Sequence, residues 1–312
     1  MKKGIKLMSQ STQTKLGKHL IGMAFYIATI VCFSLASIKY SHLKSSSLSN
    51  MAQIGLSCLF SALILLPIMF IFYRNELKTA RIFLYVLRAL IGTLGLVIWV
   101  YSVKEFGASQ SMLLMYLTPI LAATVAAIAG KEKLSWTCII SGIACYLIVL
   151  PVFINNTQTS VKGLLFAMLS PLCWSVYNTI CKVQTAKEHF LVQVFYTCLF
   201  EGLLLMPFYV TNITNVSATE FTQLLVISLL SIGNLMFLFL AIKFATLNWL
   251  IPISYLKFPI SAVLEFILFG IIAKTISWVI ACALIAVNIA MMLLRKFDKT
   301  DVKPKGHESN PV

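Results

Sequence analysis

Ten apolar runs of about twenty residues follow one another through this chain, and that pattern excludes nearly every soluble fold. A run of about 20 apolar residues is long enough to cross the hydrocarbon core as a helix. The runs cover residues 19–38, 51–73, 82–103, 108–129, 134–154, 162–182, 190–210, 221–243, 247–269 and 274–294. Hydrophobic residues make up 59% of the chain and charged ones 11%, against about 25% charged in soluble domains. Short connections leave no room for a soluble domain, and the segments 1–18 and 295–312 are polar. No small-residue cleavage site follows the first run, so no cleaved signal peptide is expected.

The charge distribution sets an orientation. Of the 25 Lys and Arg residues, 18 fall on the side shared by both termini, including the junction residues Lys182 and Lys243. The opposite loops carry Lys39, Lys44, Lys104, Lys162 and Lys274. The positive-inside rule then places both termini in the cytoplasm, in a multi-pass protein of the cell (inner) membrane with the lipid bilayer as its surroundings. The net charge of +15 lies in loops and tails without a basic stripe or an aromatic RNA-binding motif, so no nucleic-acid partner is expected. The eight cysteines fall within the apolar runs and form no CxxC pair, so neither a metal site nor a disulfide framework is indicated. The four histidines lie at ends, loops or tails, and no HExxH, GxSxG or Walker A sequence is present. Enzyme readings therefore have little support, and no cofactor is expected.

The two halves of the chain repeat. At an offset of 141 residues, Gly22, Phe25, Cys32 and Ser34 match Gly163, Phe166, Cys173 and Ser175, and Ile91-Gly92 and Leu94 match Ile232-Gly233 and Leu235. Pro67 and Pro119 match Pro207 and Pro259 at 140. Five spans per half is an odd number, so the second half enters the membrane from the opposite side. The expected fold is an all-α integral membrane protein with ten transmembrane helices as two inverted five-helix repeats, residues 19–154 and 162–294. That architecture belongs to secondary transporters, with the site near mid-membrane between the repeats.

Ionisable residues inside spans are costly and mark functional positions. Here they are Arg88, Glu201, Lys257 and Glu265. Lys257 is central in the run Leu247 to Gly270, between Pro252 and Pro259, so this span is expected to face an internal polar path. Glu201 and Lys257 have similar expected depth; they either bind or gate a substrate or form a structural ion pair. Arg88 either snorkels to phosphate or clamps a substrate carboxylate. Glu265 is expected near the outer end as an interfacial or vestibule carboxylate. Trp99, Tyr101, Tyr116, Trp174, Tyr177 and Tyr255 suit a cation or a flat ring, with packing or interfacial belts as the alternative. Asn178 and Asn234 bond substrate or a neighbouring helix. Pro119 and Pro259 act as hinges or packing kinks.

Several motifs carry a family resemblance over residues 19–294. They are Leu87-Arg88-Ala89, Trp99-Val-Tyr101, Ser109 to Ala122, Gly130-Lys-Glu-Lys-Leu-Ser-Trp136, Pro252, Tyr255-Leu256 and Ile260-Ser-Ala262. With these the chain resembles the drug/metabolite transporter superfamily in its form with two EamA-type halves, and within it the S-adenosylmethionine uptake carriers. The resemblance implies a secondary transporter moving S-adenosylmethionine or an amino-acid-like metabolite by alternating access. An amino-acid or metabolite exporter of the same superfamily is the alternative, and an intramembrane enzyme or channel is less favoured. Oligomeric state, direction and coupling are left open.

Overall fold

The computed structural model describes residues 2–43, 48–79, 81–118, 120–121, 124–125, 136–154, 167–185, 188–211, 216–245, 250 and 253–297. These residues form α1 (Lys2–His42), α2 (Asn50–Phe72), α3 (Ile82–Phe106), α4 (Ala108–Leu114), α5 (Trp136–Ile154), α6 (Ser170–Thr185), α7 (Phe190–Leu204), α8 (Ala218–Phe244), α9 (Lys257–Phe269) and α10 (Thr275–Phe297). No strand occurs among the described residues. Stretches 17–42, 50–72, 82–106 and 218–244 are long and apolar enough to cross a membrane. Large apolar side chains face outward, Phe72 at 73% and Phe83 at 76% exposure, an arrangement that water would penalise and lipid accepts. The protein is a multi-pass membrane protein.

Local chemistry explains where several helices start and stop. Ser49 caps α2 by accepting from Ala52 N at 3.2 Å. Ser217 and Glu220 form a reciprocal capping box at the start of α8, which satisfies two otherwise orphaned N–H groups. Gly270 ends α9 in the left-handed region at φ 66°, a conformation that an L side chain disfavours. Pro207 lacks an N–H and clashes with the preceding turn. Accordingly α7 ends at Leu204 and a short helical segment, Met206–Tyr209, continues it.

Hydropathy marks membrane depth and not helix ends, so some bounds differ from expectation. α1 begins at Lys2 and is continuous through the polar residues 2–18, and α10 runs on to Phe297. Lys257 is not the centre of a continuous spanning helix but the first residue of α9. Ahead of it, Ile253 to Leu256 form a turn in which Leu256 N donates to Ile253 O at 3.0 Å. The fourth run is also broken, with α4 followed by a 3-10 turn at Met115–Leu117.

These two breaks meet. Tyr116 in the 3-10 turn donates its hydroxyl proton to the Tyr255 carbonyl, a backbone acceptor exposed by the interruption before α9. The two rings stand edge to face at 5.4 Å. At the start of α4, Gly107 has φ 88°, and the Glu265 carboxylate accepts from Ala108 N at 2.9 Å and Ser109 N at 3.2 Å. Glu265 is buried. It caps a neighbouring helix and is not the vestibule carboxylate expected from its position along the chain.

The main packing pairs are α1 with α8, α2 with α7, α3 with α6, α5 with α10, α2 with α8, α4 with α9 and α3 with α7. Replacing each helix by the one five places along leaves this set of pairs unchanged. α2 and α7 cross closely: a Cβ on Gly202 would stand 3.1 Å from Leu59 N.

Candidate functional site

Helices that are apolar all round bury polar residues only where a partner or a cavity receives them. Such residues converge between α1, α2, α3, α6, α7 and α8. From α1 come Phe33, Ser37 and Tyr40; from α2, Ser57, Cys58 and Ser61; from α3, Trp99. Trp174 and Tyr177 of α6, Thr197, Cys198 and Glu201 of α7, and Ser231 and Asn234 of α8 complete the wall. The enclosed volume is about 60 Å³, well below the roughly 300 Å³ at which pockets begin to enclose a drug-sized ligand.

Glu201 is the one formally charged side chain among the described lining residues. It is 7% exposed, and Cys58 Sγ donates to its Oε2 at 3.6 Å. Its Oε1 lies against the backbone of α3, where a Cβ on Gly92 would be 2.5 Å away. Gly92 thus makes a berth that a side chain would enter only by displacing the carboxylate.

Four aromatic rings form a continuous wall beside it. Trp99 stacks on Phe33 at 5.1 Å, Phe33 meets Trp174 edge-on at 6.2 Å, and Trp174 meets Tyr177 edge-on at 5.4 Å. Trp99 Nε1 donates to Ser37 Oγ at 3.1 Å, while Trp174 Nε1 has no hydrogen-bond partner. Aromatic faces carry negative potential and attract cations. One carboxylate beside such faces, with no cation on the wall, favours a positively charged guest.

Of the residues singled out from the sequence, Glu201, Trp99, Trp174, Tyr177 and Asn234 meet here. Arg88, Asn178, Tyr116, Tyr255 and Lys257 are not among the lining residues. Tyr116 and Tyr255 belong to the crossing of α4 and α9, and Lys257 opens α9 beside them. Glu201 and Lys257, both described, form no ion pair within 4.0 Å of each other. Pro259 lies in the first turn of α9, where a missing N–H costs little; Pro119 lies outside the described residues.

Arg88 neither snorkels to the surface nor lines the cavity: it is 0% exposed. Its Nη1 donates to Gln184 Oε1 at 2.7 Å and Gln193 Oε1 at 3.3 Å, and its Nη2 to Gln193 O at 2.8 Å and to Thr197 Oγ1. The guanidinium carbon sits 5.1 Å from the Tyr85 ring centre and 5.6 Å from that of Tyr177.

The cavity residues not singled out from the sequence had a signal there. The stretch Gln53 to Ser61 (QIGLSCLFS) matches Gln193 to Glu201 (QVFYTCLFE) at a constant offset of 140. It pairs Ser57 with Thr197, Cys58 with Cys198, and Ser61 with Glu201. All six line the cavity, and the carboxylate is the departure from the repeat.

The EamA-like transporter family matches the chain twice, over residues 20–154 and 161–294. The chain belongs to this family. Two relatives are S-adenosylmethionine uptake transporters. The one from Rickettsia prowazekii (strain Madrid E) is 22% identical over 252 residues, 81% of this chain and 85% of that protein. The one from Rickettsia felis (strain ATCC VR-1525 / URRWXCal2) is 22% identical over 254 residues, again 81% and 85%. A solved crystal structure of a protein 16% identical to this member superposes with a TM-score of 0.59 over 89% of this chain and 99% of its own; it supports the fold.

Proposed function

We propose that this transporter-family member carries a small organic cation bearing a flat ring, with S-adenosylmethionine as the preferred cargo, across the cell (inner) membrane. The observation that carries the reading is the single carboxylate of Glu201 set beside the Trp99, Phe33, Trp174 and Tyr177 rings in an enclosed cavity. S-adenosylmethionine has a sulfonium for the carboxylate and the ring faces and an adenine that stacks on an indole. The names of the relatives support the same cargo at 22% identity. Trp174 Nε1 and Asn234 then supply hydrogen bonds for polar edges of the cargo.

The mechanism is alternating access: two inverted five-helix repeats, 19–154 and 162–294, rock about the cavity. The chain offset, the unchanged set of helix pairs on exchanging halves, and the position of the cavity between α1–α3 and α6–α8 support it. With both termini in the cytoplasm, the 74–81 and 183–189 connections face inward. Tyr116 and Tyr255 then meet where the fourth and ninth runs are broken, Lys257 opens α9, and Pro259 follows in its first turn. Asn178 stands outside the cavity lining and takes no part in holding the cargo.

Uptake of labelled S-adenosylmethionine by liposomes containing the purified protein tests the reading. Saturable uptake, displaced by unlabelled S-adenosylmethionine and weakly by zwitterionic amino acids, is expected. Displacement by neutral amino acids at equal concentration would reassign the cargo. Efflux from preloaded liposomes in the absence of uptake would reassign the direction to export.

A further inference from the structure

Arg88 is a buried cation that the cavity does not use, and every polar contact around it joins one half of the chain to the other. Arg88 belongs to α3, while Gln184 is on α6 and Gln193 and Thr197 are on α7. The same end of the bundle carries further contacts of the same kind. Glu188 accepts from Thr79 Oγ1 at 2.7 Å and from the Tyr85 hydroxyl, and the Tyr196 hydroxyl donates to Leu77 O at 2.7 Å. His189 stacks on Tyr73 at 4.6 Å and stands 3.9 Å from Glu76. Beside the cavity Ser228 Oγ donates to Ser57 O at 2.8 Å and Ser61 Oγ to Ser228 O at 3.2 Å. At the opposite end the halves are joined by Glu265, which accepts from Ala108 N and Ser109 N, and by His42 stacked on Phe269 at 3.6 Å, contacts without an arginine. The residue at the repeat offset of 141 from Arg88 is Leu229.

We propose that Arg88 is the latch of the gate that closes the cavity on the side of the α2–α3 and α6–α7 connections, and that Tyr177 and Thr197 report cavity occupancy to it. The inference rests on the transport reading above and adds the gating residue. Tyr177 and Thr197 each belong to both structures: they line the cavity, and they give the guanidinium a ring face and an acceptor. A cation that takes the Tyr177 face or reorients Thr197 withdraws these contacts from Arg88 and weakens the closure. Arg88 Nε and Gln184 Nε2 have no hydrogen-bond partner in the closed arrangement. A buried polar network with unfilled donors is less costly to open than a saturated one. Packed halves with two discrete arrangements turn such a local change into rigid-body motion.

The test reads access and not transport. Cys58 and Cys198 are buried, free thiols on the cavity wall. In right-side-out and inside-out vesicles, their modification by a membrane-impermeant methanethiosulfonate is followed by mass spectrometry. Arg88→Ala is expected to accelerate modification at least about tenfold from the latch side alone, the shift associated with losing one charge-assisted hydrogen bond. Arg88→Lys, which keeps the charge but loses the fork, is expected to fall between. Should Arg88→Ala fail to reach the membrane, the double variant Thr79→Ala, Glu188→Gln loosens the outer part of the same gate. It is expected to accelerate modification about threefold from that side. Unchanged rates in these variants, or equal acceleration from both sides, would overturn the latch. Normal S-adenosylmethionine uptake with unchanged labelling removes the latch alone, whereas one-sided labelling without such uptake removes the cargo assignment and leaves the gate.

Discussion

The Glu201 carboxylate rests directly on Gly92, with the place of a missing Cβ 2.5 Å from Oε1 and 3.1 Å from the Tyr177 ring. α7 and α3 therefore touch through a carboxylate and bare backbone. Gly92→Ala must push away the carboxylate or the ring. Overpacking of this kind costs about 1–3 kcal/mol. We expect the variant to reach the membrane with a lowered melting temperature in detergent and a raised KM for uptake. Unchanged KM and melting temperature would show that Glu201 is not held where the structure has it.

Glu201→Gln keeps the shape and removes the charge. A buried ion that loses its counter-charge typically costs about 2–5 kcal/mol of binding, so cargo affinity should fall by at least about thirtyfold. Stability should hold or rise, because a desolvated buried carboxylate is replaced by a neutral amide. Equilibrium binding of labelled cargo together with a melting curve separates the two effects. Retained affinity would take the carboxylate out of cargo recognition.

Glu265 has a different task. Glu265→Ala leaves the buried Ala108 and Ser109 N–H groups without an acceptor, and each orphaned group costs about 1–3 kcal/mol. The expected result is a clearly lowered melting temperature in detergent, with Glu265→Gln intermediate because one acceptor oxygen remains. A melting temperature equal to that of the parent protein would refute the cap.

Cavity thiols should also be shielded by cargo. With saturating S-adenosylmethionine, modification of Cys58 and Cys198 by a permeant maleimide is expected to slow, while that of the exposed Cys282 is unaltered. Peptide-level mass spectrometry reads all three in one sample. Equal slowing at Cys282, or none at Cys58 and Cys198, would place the cargo elsewhere.

Glu201, Lys257, Glu265 and Arg88 looked alike in the sequence, as ionisable residues inside apolar runs, yet the structure gives them four different settings. Glu201 faces the cavity, Glu265 caps α4, Arg88 bridges the halves and Lys257 opens α9. Distance along the chain sets depth but not direction around the helix axis. In a helix that is apolar on every side, no polar face marks which way a charged residue turns. The Gln53–Ser61 and Gln193–Glu201 correspondence was the clearest statement of the site available in the residues themselves. Its meaning depends on α2 crossing α7, which brings Cys58 to the carboxylate at 3.6 Å.

The amino-acid order alone determined that this is a series of apolar helices, because run length is a local property, whereas the breaks after Leu204 and before Lys257 appeared only in the structure. The order also carried the family through Leu87-Arg88-Ala89 and the motifs that follow. Only the tertiary structure decided that one carboxylate meets four aromatic rings, since that requires the rotation and crossing of six helices. Those depend on close approaches such as Glu201 on Gly92, which are set by packing between distant parts of the chain.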